Sequence, residues 1–150
     1  MNGTLQLADA RATEAAGAAL AKAVAGQAGV ITLSGALGAG KTTLVRGLLH
    51  ALGHAGTVRS PTYTLVESYA FDEWRVLHLD LYRLTGGRDL DALGLRDELD
   101  ADTLLLVEWP ERAGAALPPP DLRIALEAVG DARRLDWATD HARYAQAFEK

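Results

Sequence analysis

Apolar residues recur along the chain with two different periods, and each change of period marks a new element. Thr4–Leu7 reads as a short strand. Asp9 or Thr13 caps a following helix that runs to about Ala25, with Leu20 and Val24 on its apolar side. Gly26 and Gly29 end it, and the compact β-branched and aliphatic run Val30–Ser34 predicts a buried strand. A glycine-rich turn then leads into a helix from about Lys41 to Leu52. Its residues Leu44, Val45, Leu48, Leu49 and Leu52 share one face, and Gly53 stops it.

In the second half, Thr64–Tyr69 and Val76–Tyr82 both carry strand patterns, and Ala70–Arg75 between them predicts a hairpin and an antiparallel pair. Asp89–Leu99 suggests one or two short helices. Thr103–Trp109 contains a Leu-Leu-Leu-Val run, which suits a strand buried on both faces at the centre of a sheet. Pro118–Pro120 breaks the chain. Leu122–Val129 and Arg134–Ala138 then predict a last hairpin, and Asp140–Phe148 a terminal helix. With no internal repeat and no long linker, the expectation is a single α/β domain spanning 1–150.

Composition narrows the function classes. A chain of 150 residues buries roughly 70% of its unfolded surface, so it needs no covalent staple. It has no cysteine, which removes disulfides, thiolate zinc sites and cysteine nucleophiles together. Met1–Leu7 shows no basic leader followed by an apolar stretch, and no run approaches the ~18 apolar residues that span a membrane. A soluble, cytoplasmic protein without membrane partners is expected. The formal net charge is −5, and the only adjacent basic pair is Arg133–Arg134. Proteins that hold nucleic acid unaided present a basic face to its phosphates, so direct binding of that kind is disfavoured.

The strongest chemical signal is Gly35-Ala36-Leu37-Gly38-Ala39-Gly40-Lys41-Thr42, which fills every required position of G-x-x-x-x-G-K-[ST]. Glycines let the backbone wrap phosphate oxygens closely, so that successive N–H groups converge on the negative charge. The helix that starts near Lys41 adds its unpaired N–H groups and positive dipole end. In such loops the lysine reaches the β- and γ-phosphates and the hydroxyl takes one Mg²⁺ position. The motif sits between a buried strand and an amphipathic helix, which is the context it demands. The expected fold class is therefore a P-loop NTPase-like three-layer sandwich, with a mostly parallel central sheet and antiparallel hairpin additions; the expected cofactors are ATP and Mg²⁺.

A phosphate loop needs a carboxylate at the end of a neighbouring strand. Glu108 closes the run Thr103–Val107 and is the best candidate by position; the alternatives are solvent exposure or pairing with an arginine. Alternation places His78, Asp80 and Tyr82 on one strand face and Leu79 and Leu81 on the other. That polar face is either solvated or part of a site, with Asp80 as a second Mg²⁺ ligand or water-orienting base and His78 as a proton or phosphate contact. Ser60-Pro61-Thr62 reads either as a turn that opens a strand or as a nucleotide-sensing loop with Thr62 facing Mg²⁺ or the γ-phosphate. Trp74, Trp109 and Trp137 read as packing residues.

Asn2 is the sole asparagine, so the Asn-Lys-x-Asp element that reads guanine is absent. Asp91-Ala92-Leu93-Gly94 matches D-x-x-G but follows a polar stretch, and a GTPase is disfavoured. The remaining enzyme alternative is a small-molecule or protein kinase with Arg83, Arg88 or Arg96 on a lid.

Four elements in order, GALGAGKTT (Gly35–Thr43), SPTYTLVESY (Ser60–Tyr69), HLDLYRL (His78–Leu84) and VEWPE (Val107–Glu111), resemble the bacterial family TsaE, also called YjeE. It is the ATPase component of the machinery that makes threonylcarbamoyladenosine in tRNA. The resemblance implies nucleotide contacts along Gly35, Gly38, Ala39, Gly40, Lys41, Thr42 and Thr43, with Lys41, Asp80 and Glu108 catalytic. It implies Mg²⁺ at Thr42 and Glu108, a hydrolytic role for Asp80 and a switch-like role for Thr62. Thr13 and Arg134 resemble positions where the family approaches the nucleotide, and Trp109 also fits its pattern. Ala36 departs from it, since many members carry Asp or Glu there. By the same resemblance the chain docks on a TsaB–TsaD heterodimer, hydrolyses ATP slowly when alone and resets that complex between cycles. The tRNA is then met only indirectly.

Overall fold

The computed structural model describes residues 1–84 and 100–149. Among these residues seven strands form one sheet: β1 (Asn2–Leu7), β2 (Gly29–Ser34), β3 (Val66–Phe71), β4 (Trp74–Asp80), β5 (Thr103–Glu108), β6 (Leu122–Val129) and β7 (Ala132–Thr139). Their order is β1-β7-β6-β2-β5-β4-β3. The four central strands run parallel through the pairs β6–β2, β2–β5 and β5–β4, and antiparallel pairs extend both edges. This is the P-loop NTPase-like α/β arrangement that the sequence leads one to expect. β5 lies inside the parallel part of the sheet, between β2 and β4, with all six residues buried, as its continuous aliphatic run requires.

Helices α1 (Ala10–Ala19), α2 (Ala21–Val24), α3 (Lys41–Ala51) and α4 (Ala142–Phe148) complete the described regular structure with two 3₁₀ turns, Pro110–Arg112 and Gly114–Ala116. One sheet face packs Ile31, Leu33, Leu104 and Leu106 against Leu20, Val24, Leu44, Leu48 and Tyr144 from the helices. The opposite face buries Val30, Leu77, Leu79, Leu105 and Val107 in a second cluster with Leu81, Leu84 and Ala113. Two buried faces are what a sheet covered on both sides needs. The expected helices over Asp89–Leu99, the D-x-x-G match, and Arg88 and Arg96 lie outside the described residues.

Several boundaries differ from expectation, each for a local reason. Asp9, not Thr13, is the N-cap of α1, accepting from Ala12 N at 2.9 Å. The helix then breaks at Leu20 instead of running unbroken to Ala25. β3 starts two residues late because Leu65 has a positive φ of 69° and its N–H bonds back to Pro61 O, which closes a turn. The hairpin after it is only Asp72–Glu73, since Phe71 already pairs with Trp74. β5 ends at Glu108 because Trp109 turns into the left-handed region. Among the described residues no helix is long and apolar enough to cross a membrane.

Candidate nucleotide site

Open parallel sheets place ligands beyond the carboxyl ends of their strands. Here β2 ends in the glycine loop, β4 in Asp80 and β5 in Glu108, and the three ends are adjacent. The loop has the backbone its glycines allow: φ is 146° at Gly35, 80° at Gly38 and 107° at Gly40. A Cβ on Gly35 would fall 2.4 Å from Leu126 O, so this position excludes any side chain. Lys41 opens α3 and is buried. Its Nζ donates to Gly35 O at 2.6 Å and lies 4.0 Å from the Trp109 ring centroid. Burial lowers its pKa below the usual lysine value, while the charges of Glu108, Asp80 and Glu111 pull it back up.

The acids come from neighbouring strands in register, Asp80 opposite Glu108. Asp80 Oδ2 accepts from the Thr62 hydroxyl at 3.1 Å, and its Oδ1 from Tyr82 N at 2.9 Å. The Thr62 hydroxyl is also 2.8 Å from Ser60 Oγ, so the Ser60–Thr62 loop is tied directly to the acid. Of the two readings left open for this loop, the geometry favours membership of the site. Glu108 is 2% exposed. Among the described residues its partner is His78, whose Nε2 lies 2.6 Å from Oε2, and not an arginine. His78 is fully buried, so it is not a direct phosphate contact; the polar strand face faces inward, towards the site.

A cleft of about 450 Å³ brings these groups together. Gly38, Gly40, Lys41, Thr42, Thr43, Thr62, Asp80 and Glu108 all line it, as does Thr13 from α1. Ala39 is buried behind the loop, and Gly35 contributes the carbonyl that holds Lys41. Arg134 requires correction. Its guanidinium pairs with Glu127 at 2.6 Å and Asp136 at 3.3 Å on the sheet surface, and it is Arg133 that lines the cleft. Arg133 Nη2 donates to Gly38 O at 3.2 Å. Successive residues on a strand face opposite ways, so a basic pair read from sequence offers both candidates equally. Trp109 is a second correction: it lines the cleft, with Tyr82 4.9 Å away, and is not merely packing. Its position directly after Glu108 was the available signal. Trp137 and Trp74 do pack, against Phe148 and Phe71.

The residues present fit a polyphosphate with a hard divalent cation. A Cβ on Gly40 would stand 3.5 Å from Thr13 Cγ2 and 3.9 Å from Arg133 Nε, both ordinary contact distances, so the space over the loop is open to a ligand, and it is the φ of 107° that favours glycine there. The donors offered by Thr42, Asp80 and Glu108 are all oxygens, which suit Mg²⁺ and not a soft metal. Among the described residues no three His, Cys, Asp or Glu groups form a cage. A cation here would take its remaining positions from phosphate and water, the usual habit of Mg²⁺.

Comparison with known proteins agrees with this geometry. A family model described as threonylcarbamoyl adenosine biosynthesis protein TsaE matches residues 7–135. The tRNA threonylcarbamoyladenosine biosynthesis protein TsaE of Haemophilus influenzae is 44% identical over 107 residues, 71% of this chain and 68% of that protein. Its counterpart in Bacillus subtilis is 36% identical over 117 residues, 78% of this chain and 73% of that one. The crystal structure of Bacillus subtilis YdiB superposes with a TM-score of 0.79 at 28% identity, covering 98% of this chain and 91% of that chain. With the motif order, the sheet topology and these matches in agreement, the chain belongs to the TsaE family of threonylcarbamoyl adenosine biosynthesis proteins.

Proposed function

We propose that this chain is a magnesium-dependent ATPase required for N6-threonylcarbamoyladenosine formation in tRNA, acting on a TsaB–TsaD complex to allow repeated turnover. The observation that carries the reading is the single cleft shared by the glycine loop, Lys41, Thr42 and the carboxylates Asp80 and Glu108. The loop amides and the start of α3 receive the β- and γ-phosphates, and Lys41 leaves Gly35 O to meet them. Thr42, Asp80 and Glu108 would hold Mg²⁺, which would supply charge neutralisation at the phosphates when bound. Asp80, held from both sides by Thr62 and Tyr82, is oriented to accept a proton from, or align, the attacking water. Thr62 links the loop at Ser60 to that acid, which provides a path from γ-phosphate occupancy to surface conformation. The acidic net charge of −5 fits a component that leaves tRNA to its partners.

Two measurements test this reading. Phosphate release from ATP by the purified chain should be slow and Mg²⁺-dependent, and should fall to background in excess chelator. Mixed with TsaB, TsaD and substrate tRNA, the chain should convert a single round of modification into many. Turnover that persists in chelator, or modification unaffected by adding the chain, would overturn it. Label moving from γ-labelled ATP to an acceptor other than water would make it a kinase instead.

The two adjacent arginines separate cleanly. A charged contact to phosphate contributes ~1.5–3 kcal/mol, so Arg133→Ala should weaken ATP binding by roughly tenfold or more. Arg134→Ala removes only two exposed ion pairs and should change affinity by less than about twofold. Calorimetric titration of both variants checks the assignment.

A further inference from the structure

Glu108 is a buried carboxylate, and a buried charge persists only where hydrogen bonds or opposite charges hold it. Two groups compete for it. Lys41 exerts an attraction strong enough to offset part of its own desolvation, yet its Nζ bonds Gly35 O. His78 takes the acid instead, with Nε2 2.6 Å from Oε2. The carboxylate oxygen can only accept, so the ring presents Nε2–H to it. The sheet dictates this meeting: on parallel strands β4 and β5, Asp80 stands opposite Glu108 and His78 opposite Leu106. His78 therefore shares a face with both acids and sits one pair further back, diagonal to Glu108. Its remaining nitrogen, Nδ1, is buried with no partner among the described residues. Among those residues the ring's hydrogen bond goes to Glu108.

We propose that His78 is the positioning residue of this site, its Nε2–H holding the Glu108 carboxylate away from Lys41 in the orientation that lines the cleft. This rests on the ATPase reading above and adds a role to it. A glutamate has three side-chain torsions, and one released from His78 is free to swing onto Lys41. The two charges would then neutralise each other and withdraw both from the phosphates and their cation. His78 keeps the acid and the base of the site apart until a ligand enters between them. It acts through Glu108 alone, since it has no exposed surface to touch a nucleotide.

The test is a titration of Mg²⁺ against the full chain with ADP, read by calorimetry, beside ADP affinity in chelator and melting temperature without nucleotide. His78→Leu fills the ring's volume but donates nothing, and His78→Asn carries an amide too short to reach Glu108. Both should need about 10- to 100-fold more Mg²⁺ for half-maximal effect, the usual cost of losing a group that orients a metal ligand. Their affinity for ADP in chelator should stay within about twofold of wild type, because the glycine loop is untouched. His78→Gln places an amide N–H near the lost Nε2 and should recover most of the response. In a Glu108→Ala background, where no side-chain oxygen is left to orient, His78→Leu should have no further effect.

A His78→Leu titration equal to wild type overturns the inference alone, as does equal loss of affinity with and without Mg²⁺, or a Gln variant no better than Leu. A wild-type chain whose ADP binding ignores Mg²⁺ would instead sink the functional reading and this inference with it.

Discussion

Lys41→Ala should reduce ATP hydrolysis by about 100- to 1000-fold, the range seen when one preorganised charge-stabilising donor is removed from an active site. Lys41 is 5% exposed, and its Nζ sits between Gly35 O and the Trp109 ring. Desolvation has already been paid in folding, which is why its pKa is depressed, so the charge meets a phosphate at close to full strength. The fold should survive, because the variant removes an unfavourably buried charge along with one hydrogen bond. Lys41→Met keeps most of the stem and should be as inactive as Lys41→Ala; a difference between them would assign the effect to packing. Lys41→Arg should fail too, since the planar guanidinium does not fit the space of a compact ammonium. Phosphate release and calorimetric melting measure both sides. An alanine variant within about fivefold of wild-type turnover would remove Lys41 from the chemistry.

Gly47→Ala should lower the melting temperature by roughly 10 °C. Alanine is the better helix former by about 1 kcal/mol, so propensity alone predicts stabilisation. The packing opposes it. A Cβ on Gly47 would fall 2.0 Å from Glu14 O, and one on Gly17 would fall 2.0 Å from Leu44 O. Helices α1 and α3 thus touch backbone to backbone at two reciprocal points. An added methyl must push them apart, and overpacking of this kind costs ~1–3 kcal/mol or more where backbone cannot yield. With the neighbour a backbone carbonyl 2.0 Å away, a packing cost of about 4 kcal/mol less the ~1 kcal/mol of propensity leaves about 3 kcal/mol, and at roughly 2–4 °C per kcal/mol for a chain of this length that gives the stated shift. The same movement carries Thr13 away from Gly40 and should weaken nucleotide binding. A melting temperature at or above wild type would show that the helices can separate freely.

Much of this architecture was legible because it is local. The glycine loop needs only its own residues and the strand and helix beside it, and Gly35–Thr42 declared its conformation. β5 announced its central place through Thr103–Val107, since only a strand covered on both faces tolerates so continuous an aliphatic run. Alternation along His78–Tyr82 correctly divided His78 and Asp80 from Leu79 and Leu81. Boundaries were less legible: Leu65 and Trp109 adopt left-handed backbone that their side chains disfavour, and no propensity forecasts such residues.

The site also contains relations that no local pattern encodes. That Glu108 is held by His78, thirty positions earlier, depends on the parallel register of β4 and β5. That Arg133 and not Arg134 reaches the cleft depends on the phase of β7 in its ladder with β6 and β1, where a one-residue shift exchanges the two faces. Trp109 joins Lys41 only because β2 and β5 end side by side. The sequence by itself determined which groups are available, a glycine-rich loop ahead of a helix and acids at strand ends, because these are properties of short segments. Only the tertiary structure decided which groups meet, because register and helix packing join residues far apart in the chain.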